Sequence, residues 1–188
     1  MERMSEALGN ELTAAAESGA RIWTDRLELI PLLRDHAEDL FSVLSDARLY
    51  EYMGGAPPAS VAELHARCAR LEARRSPDRA ELWLNWLISE TATGMSIGWM
   101  QATVTARYAD LAWVLGTLWQ RRGYATEAAR ASMVWLRCAG VTVFRAKIHP
   151  THIASQRVAA NAGLARTPET IDGEDVWVSR PLMSEIPC

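Results

Sequence analysis

Apolar and polar residues alternate in several segments of the chain, a pattern typical of strands with one buried face. Around Leu27 and Leu29, apolar residues alternate with residues that point to a second face. Between Glu81 and Glu90, the residues on both faces of the predicted strand are apolar, so we expect both faces of that strand to be buried. Short polar connections join the central patterns, as in an antiparallel meander. The predicted strands lie at residues 26–33, 81–90, 97–105, 108–115 and 141–148 and near Val176.

Apolar residues at intervals of three and four predict helices between these strands. Asp35 is expected to cap a first helix that carries Leu40 and Leu44, and Ser60 to begin a second. Two more helices are predicted at 124–139 and 153–162. The resulting element order, β-α-α-β-β-β-α-β-α-β without an internal repeat, indicates a mixed α/β (α+β) fold.

Residues 1–20 contain few large apolar side chains, so we expect a flexible N-terminal extension, followed by a single domain over 21–188. The 188 residues carry a net charge of −3, which argues against nucleic acid or an anionic membrane as a partner. Three cysteines without a C-x-x-C spacing fit buried thiols in a reducing compartment. Because acidic residues occur where a signal peptide would need an apolar run, the sequence predicts a cytoplasmic protein.

One segment between a predicted strand and a predicted helix suggests chemistry. Gln120-Arg-Arg-Gly-Tyr-Ala-Thr126 places two arginines and small residues before a helix N-terminus. Cations are unfavourable at this end of a helix unless an anion joins them, and backbone N–H groups there can hold a pyrophosphate. The alternative is a turn with solvated arginines. Neither the G-x-x-x-x-G-K-[ST] nor the G-x-G-x-x-G phosphate motif occurs in the chain, so a nucleotide hydrolase or dehydrogenase is disfavoured.

The same segment resembles the acetyl-coenzyme A signature of the GNAT superfamily of N-acetyltransferases, closest to the ribosomal-protein-alanine acetyltransferase branch. A second family motif is matched by the stretch from His152 through Ser155 and Arg157 to Gly163, although His152 stands where the family usually has Asn. The resemblance covers about residues 24–181. It implies a central, mostly antiparallel mixed sheet whose fourth and fifth strands splay apart, with helices on its flanks.

The resemblance also implies acetyl-coenzyme A as co-substrate, with its pantetheine arm along the free edge of the fourth strand. There the Leu115 N–H would polarise the thioester and stabilise the oxyanion, unless Leu115 is merely the last residue of a strand. The residues expected to contact the cofactor are Trp113, Leu115, Gln120, Arg121, Arg122, Gly123, Tyr124, Ala125, Thr126, His152 and Ser155.

Direct attack of an amine on the thioester requires a group that removes a proton and one that returns a proton to the thiolate. Asp110 is the first candidate for base or ammonium anchor; Glu51, Glu81 or a water relay are alternatives, and Asp110 could equally be an exposed strand-edge residue. Ser155 is the candidate proton donor, because Ala159 stands at the position of the usual tyrosine. Alternatively, Ser155 caps a helix.

His152 is expected to supply a proton, to contact the cofactor or to do neither. His149 and His152 have the spacing of a metal pair, but the sequence shows no third ligand, so no metal is expected. Glu127 is interpreted as structural, favouring the first turn of its helix. Tyr50, Tyr52, Trp83 and Trp86 would either line an acceptor pocket or pack in the core.

The acceptor is predicted to be a protein or peptide N-terminus or a small-molecule amine. A homodimer is kept among the expected partners. Because Ala159 and His152 replace the usual tyrosine and Asn, a different class of protein stays open: a sensor or scaffold that binds acyl-coenzyme A without turnover.

Overall fold

The computed structural model describes residue 14 and residues 19–180, so the predicted extension lies almost wholly outside the described residues. Eight strands are found in the described part of the chain: β1 (Ile22–Trp23), β2 (Leu27–Pro31), β3 (Leu82–Glu90), β4 (Ser96–Val104), β5 (Ala109–Leu115), β6 (Phe144–Ile148), β7 (Leu164–Ile171) and β8 (Glu174–Ser179). Its α-helices are α1 (Ala37–Leu44), α2 (Tyr50–Met53), α3 (Val61–Glu72), α4 (Tyr124–Cys138) and α5 (Ile153–Ala162).

The strands of residues 19–180 form one sheet in the order β1-β2-β3-β4-β5-β6-β8-β7. Neighbouring strands in it are antiparallel except β5 and β6, which are the fourth and fifth strands of the sequence prediction and run parallel. This confirms the mixed α/β fold with a mostly antiparallel sheet.

Apolar layers cover both faces of the sheet. On one face, Trp86 of β3 belongs to a core that includes Ala128 of α4 and Ala159 of α5. On the other face, Leu87 packs in a second core with residues of α1 and α3, among them Leu40. The prediction that the strand at 81–90 is covered on both sides is therefore confirmed.

Of the two predicted N-cap residues, Ser60 caps its helix and Asp35 does not. Ser60 caps α3, because its hydroxyl accepts a hydrogen bond from the Glu63 N–H at 3.2 Å. Asp35 does not cap α1: it lies inside a 3-10 turn at Arg34–His36, and His36 is the N-cap residue. The prediction for Asp35 was wrong because this extra turn separates it from the first α-helical residue.

The end of the chain differs from the prediction of one strand near Val176. That strand is β8, the second half of a hairpin whose first strand is β7. The turn residues Asp172 and Gly173 have φ angles of +52° and +82°, which suits the Asp-Gly dipeptide. Of the cysteines, Cys68 is buried and its thiol is free, as expected.

Candidate active site

Strand β6 pairs only with the first residues of β5, so the rest of that edge of β5 has no neighbouring strand in the described part of the chain. The two strands pair at Ala109 with Phe144 and at Asp110 with Arg145, and the ladder stops there. The Ala109 N–H donates to Val143 O at 2.9 Å, so alternate residues along β5 direct their N–H groups to the same side. By this alternation, the N–H groups of Trp113 and Leu115 face the β6 side beyond the last paired residue.

The opposite edge of β5 confirms this alternation. Gly116, one residue beyond Leu115, donates its N–H to Ile97 O of β4 at 2.9 Å. The Leu115 carbonyl, which lies on the same edge as its N–H, accepts a hydrogen bond from the Gln120 side-chain amide at 3.1 Å. Gln120 thus holds the end of the open edge while the Leu115 N–H stays directed into the gap between the strands.

The loop after β5 has the backbone shape of an anion site. Arg121 and Gly123 have φ angles of +63° and +84°, and a left-handed conformation is costly for a residue with a side chain such as Arg121. Gly123 is the N-cap residue of α4, so the loop delivers its N–H groups and those of the first helical turn to one place. Arg121, Arg122 and Gly123 are exposed there, as a pyrophosphate would require.

Arg26 of the segment before β2 fixes this loop. Its guanidinium donates to the Arg122 carbonyl at 3.0 Å and, through Nε, to a carboxylate oxygen of Glu127 at 2.8 Å. Burial alone would raise the pKa of Glu127, but hydrogen bonds from Thr24 and Arg26 outweigh it and hold that pKa below its usual value. Glu127 therefore has a structural role in tying α4 to the first strands.

Sequence reasoning missed Arg26, and no local pattern marks it. Its partners in the loop and in α4 lie 96 and 101 residues further along the chain. Only the fold brings the groups together.

Tyr124 is buried and its side chain is already engaged. Its hydroxyl donates a hydrogen bond to Glu90 of β3, which raises the pKa of the phenol, and the Arg26 guanidinium lies 4.6 Å from the centre of its ring. The predicted contact of Tyr124 with a cofactor therefore falls to its backbone N–H in the first turn of α4. Ala125 and Thr126, the other predicted residues of this turn, are half-buried.

Two candidates predicted from separate motifs meet across the open edge. The Trp113 indole N–H donates to the Ser155 hydroxyl at 3.0 Å, which joins β5 to the first turn of α5. Because Ser155 accepts this bond, its own hydroxyl hydrogen is left to donate elsewhere. The alternative role of Ser155 as a helix cap is wrong, since His152 is the N-cap residue of α5.

His152 lies in a small cluster of aromatic rings. Its imidazole is stacked on the Tyr52 ring of α2, with ring centres 4.3 Å apart and planes 16° apart. The His149 ring is tilted by 48° to the Tyr52 ring, with the two ring centres 5.5 Å apart. Burial lowers the pKa of His152, the Glu51 carboxylate opposes this shift and His149 adds to it.

The acidic candidates occupy three different environments. Asp110 forms an ion pair with Arg145, with Nε–O and Nη–O distances of 3.0 and 3.4 Å, and it lies five residues before Leu115, roughly 16 Å along the strand. Glu81 accepts a hydrogen bond from the Trp83 indole at 2.9 Å. Glu51 is exposed on α2 and acts electrostatically on His152. Of the three, Glu51 is the one whose charge affects the pKa of His152, at the start of α5.

Comparison with protein families decides the class of this site. A family model described as an acetyltransferase (GNAT) domain matches residues 26–165, which include the open strand edge, the loop and the first turns of α4 and α5. The chain belongs to the GNAT acetyltransferase family. It is therefore an N-acetyltransferase by family, and the resemblance seen in the sequence is confirmed.

Solved structures of low sequence identity share the fold. A protein from Vibrio cholerae described as a ribosomal-protein-serine acetyltransferase is 20% identical, with a TM-score of 0.66 over 86% of this chain and 98% of that chain. The acetyltransferase AAC(6')-Ib, solved with paromomycin and acetyl-coenzyme A, is 19% identical, with a TM-score of 0.68 over 82% and 93% of the two chains. A GNAT acetyltransferase from Bacillus anthracis is 15% identical, with a TM-score of 0.67 over 85% and 96%. A comparison with curated proteins found no significant match.

In the described part of the chain, no group of three or more His, Cys, Asp or Glu residues is placed to hold a metal ion. No helix in that part is long and apolar enough to cross a membrane. The cytoplasmic location, the exclusion of nucleic acid and the homodimer stay predictions.

Proposed function

We propose that the chain transfers the acetyl group of acetyl-coenzyme A to a primary amine by direct attack within a ternary complex. The observation that supports this most is the open edge of β5 beside the loop with positive φ angles at the start of α4. Pantetheine carries amide groups that can pair with a free strand edge as an added strand does. The pyrophosphate of the same molecule would accept hydrogen bonds from the N–H groups of the loop.

The residues at the site fit the steps of this transfer. The amine nitrogen attacks the thioester carbonyl carbon, and the carbonyl oxygen becomes an oxyanion to which the Leu115 N–H donates. When the C–S bond breaks, the thiolate takes a proton from the Ser155 hydroxyl, directly or through water. The acceptor loses two protons in all: the ammonium loses one before the neutral amine attacks, and this proton leaves to solvent. The nitrogen of the tetrahedral intermediate loses the second, which restores the Ser155 hydroxyl.

A peptide or protein N-terminus is the acceptor that we propose first. The sequence resembles the ribosomal-protein-alanine acetyltransferase branch, and one solved structure of similar fold is described as a ribosomal-protein-serine acetyltransferase. Glu51, whose charge favours protonated His152, would also attract an ammonium group. A small amine such as an aminoglycoside or polyamine is the second acceptor class, for which a more acidic pocket is expected. The solved structures of similar fold include one protein described for each class.

Calorimetric titration with acetyl-coenzyme A tests the donor site. We expect Gly123→Ala to weaken binding about tenfold, because a residue with a Cβ is strained at φ +84° and the added Cβ would lie 3.4 Å from the Arg26 guanidinium that holds the loop. Gly173→Ala is the matched control, since it places the same strain at φ +82° in the β7–β8 turn. Absence of binding by the unaltered protein at millimolar acetyl-coenzyme A would refute the donor site.

Release of free thiol tests turnover and the acceptor class. The panel contains hexapeptides with N-terminal Ala, Ser and Met, together with spermidine and paromomycin. We expect the highest kcat/KM with a peptide. Bound acetyl-coenzyme A without thiol release by any amine would favour a sensor or scaffold instead.

A further inference from the structure

Three aromatic rings from two distant parts of the chain contact one another near the start of α5. We call Tyr52, His149 and His152 the ring cluster. Tyr52 belongs to α2 and the two histidines to the segment between β6 and α5, so the cluster joins two parts of the chain about 100 residues apart. The stacking at 4.3 Å fixes the plane and position of the His152 imidazole.

The imidazole lies next to the chemistry of the open edge. His152 is the N-cap residue of α5, and Ser155 follows three residues later, a spacing that brings side chains to the same side of a helix. Ser155 in turn contacts Trp113 of β5 at 3.0 Å. The ring cluster is therefore linked through Ser155 to the open edge of β5, and Tyr52 of α2 stacks against the His152 ring.

The His152 ring nitrogens are not used by the fold. Among the hydrogen bonds found within residues 19–180, none involves a ring nitrogen of His152, whereas His149 Nδ1 accepts from the Thr151 N–H at 3.3 Å. The groups that face His152 are Glu51 and Tyr52 from α2 and His149 from its own segment. A half-buried imidazole with an open nitrogen and a carboxylate nearby has the features of a proton acceptor.

We propose that His152 is the catalytic base, which takes a proton from the acceptor ammonium while the stacked Tyr52 ring holds the imidazole in place. This rests on the proposed function. The N–H bond of the ammonium breaks, its electron pair stays on nitrogen, and the proton joins a His152 ring nitrogen. The neutral amine then attacks the thioester, and the imidazolium gives its proton to solvent after the acetylated amine leaves.

Asp110, the first sequence candidate for this role, is less well placed. Its carboxylate is paired with Arg145, and it lies roughly 16 Å along β5 from Leu115, at the beginning of the strand. His152 was predicted only to supply a proton, to contact the cofactor or to do neither, because the sequence does not show the stack with Tyr52.

NMR titration of the His152 ring protons tests the cluster without requiring activity. We expect a pKa below the ordinary histidine value because of burial, and a further fall in Glu51→Gln, since the carboxylate favours the imidazolium. Tyr52→Phe keeps the stack and is expected to leave the titration nearly unchanged. A His152 pKa at or above the ordinary histidine value would contradict the buried, stacked imidazole on which the base depends.

The pH dependence of kcat/KM tests the base itself, with the panel amine that the unaltered protein acetylates fastest. His152→Asn introduces the residue that the family usually has, so it separates a base from a residue that merely binds. We expect it to lower kcat/KM at pH 7.5 about 100-fold and to change the Kd for acetyl-coenzyme A less than twofold. It should also abolish the acidic limb of the pH profile, which is the fall of kcat/KM at low pH as His152 becomes protonated.

The controls separate this inference from the proposed function. His65→Gln alters an exposed histidine of α3 and should leave the pH profile unchanged, and Asp110→Asn should keep the acidic limb. Retained activity and an intact acidic limb in His152→Asn would overturn the base. Failure of the unaltered protein to release thiol would instead refute the proposed function.

Discussion

Single residues at this site act through contacts that cross the cleft. Trp113 on β5 and Ser155 on α5 belong to different motifs, and the 3.0 Å hydrogen bond between them could not be read from either. Arg26 holds the loop carbonyl of Arg122 from nearly 100 residues away. Motif and spacing are local, so the sequence could predict which residues lie along the open edge and in the loop, but it could not predict these long-range partners.

Ser155→Ala tests the proton donor. We expect kcat to fall at least tenfold, because a positioned acid typically contributes a hundredfold or more, while acetyl-coenzyme A affinity changes less than twofold. Steady-state kinetics and calorimetry measure the two effects separately. Trp113→Phe is the matched control, since it removes the indole hydrogen bond and leaves the hydroxyl, and it should lower kcat less than Ser155→Ala. An unchanged kcat in Ser155→Ala would remove Ser155 from the mechanism.

Elements whose two faces are buried or whose caps are strong were predicted well from the sequence, as β3 and α3 show. The β7 strand was missed because half of its residues are exposed, half are polar and its apolar residues do not alternate with polar ones. The Asp172-Gly173 dipeptide was the available signal for this hairpin. The separation of β5 from β6 was expected only from the family resemblance, because the apolar pattern of neither strand predicts the residue at which their pairing ends.

Gly98 of β4 sets the position of the open strand. A Cβ there would lie 2.2 Å from the Val114 carbonyl oxygen and 2.6 Å from Leu115 Cδ2, so an added methyl group must push β5 away. We expect Gly98→Ala to lower the free energy of unfolding by about 2 kcal/mol and to weaken acetyl-coenzyme A binding. Urea unfolding and calorimetry measure these effects.

Gly94→Ala is the control for this substitution. Gly94 lies in the β3–β4 turn with φ +68° and open space around it, so its change strains the backbone without displacing β5. It should destabilise the protein by about 1 kcal/mol and leave binding intact. Equal effects of the two substitutions on binding would contradict the role assigned to Gly98.

At the scale of the whole molecule, the segment after β5 is tied to the helical side of the fold. The Thr117 hydroxyl donates to the Asp46 carboxylate at 2.8 Å, and Arg48 donates to the same carboxylate at 2.7 Å. Hydrogen bonds from Arg48 and Thr117 hold the pKa of Asp46 well below its usual value. The α1–α2 connection is therefore fixed next to the end of β5, the strand that forms the proposed cofactor site.

This network makes the free energy of unfolding depend on pH. Because the folded pKa of Asp46 is lowered, its contribution is present above the unfolded pKa of about 4 and is lost as pH falls below it towards the folded pKa. We expect Asp46→Asn to be less stable than the unaltered protein at pH 7, with a smaller difference at pH 3. Urea unfolding at both pH values measures this. The same difference at the two values would show that Asp46 is not stabilised as a carboxylate.

The central claim is that coenzyme A binds along the open edge of β5. Amide hydrogen exchange, followed by NMR with and without coenzyme A, reports on individual N–H groups of that strand. Exchange at Trp113 and Leu115 should slow strongly on saturation, while Gly116, already bonded to Ile97, should change little. Saturation with coenzyme A without slower exchange at Trp113 and Leu115 would contradict the account.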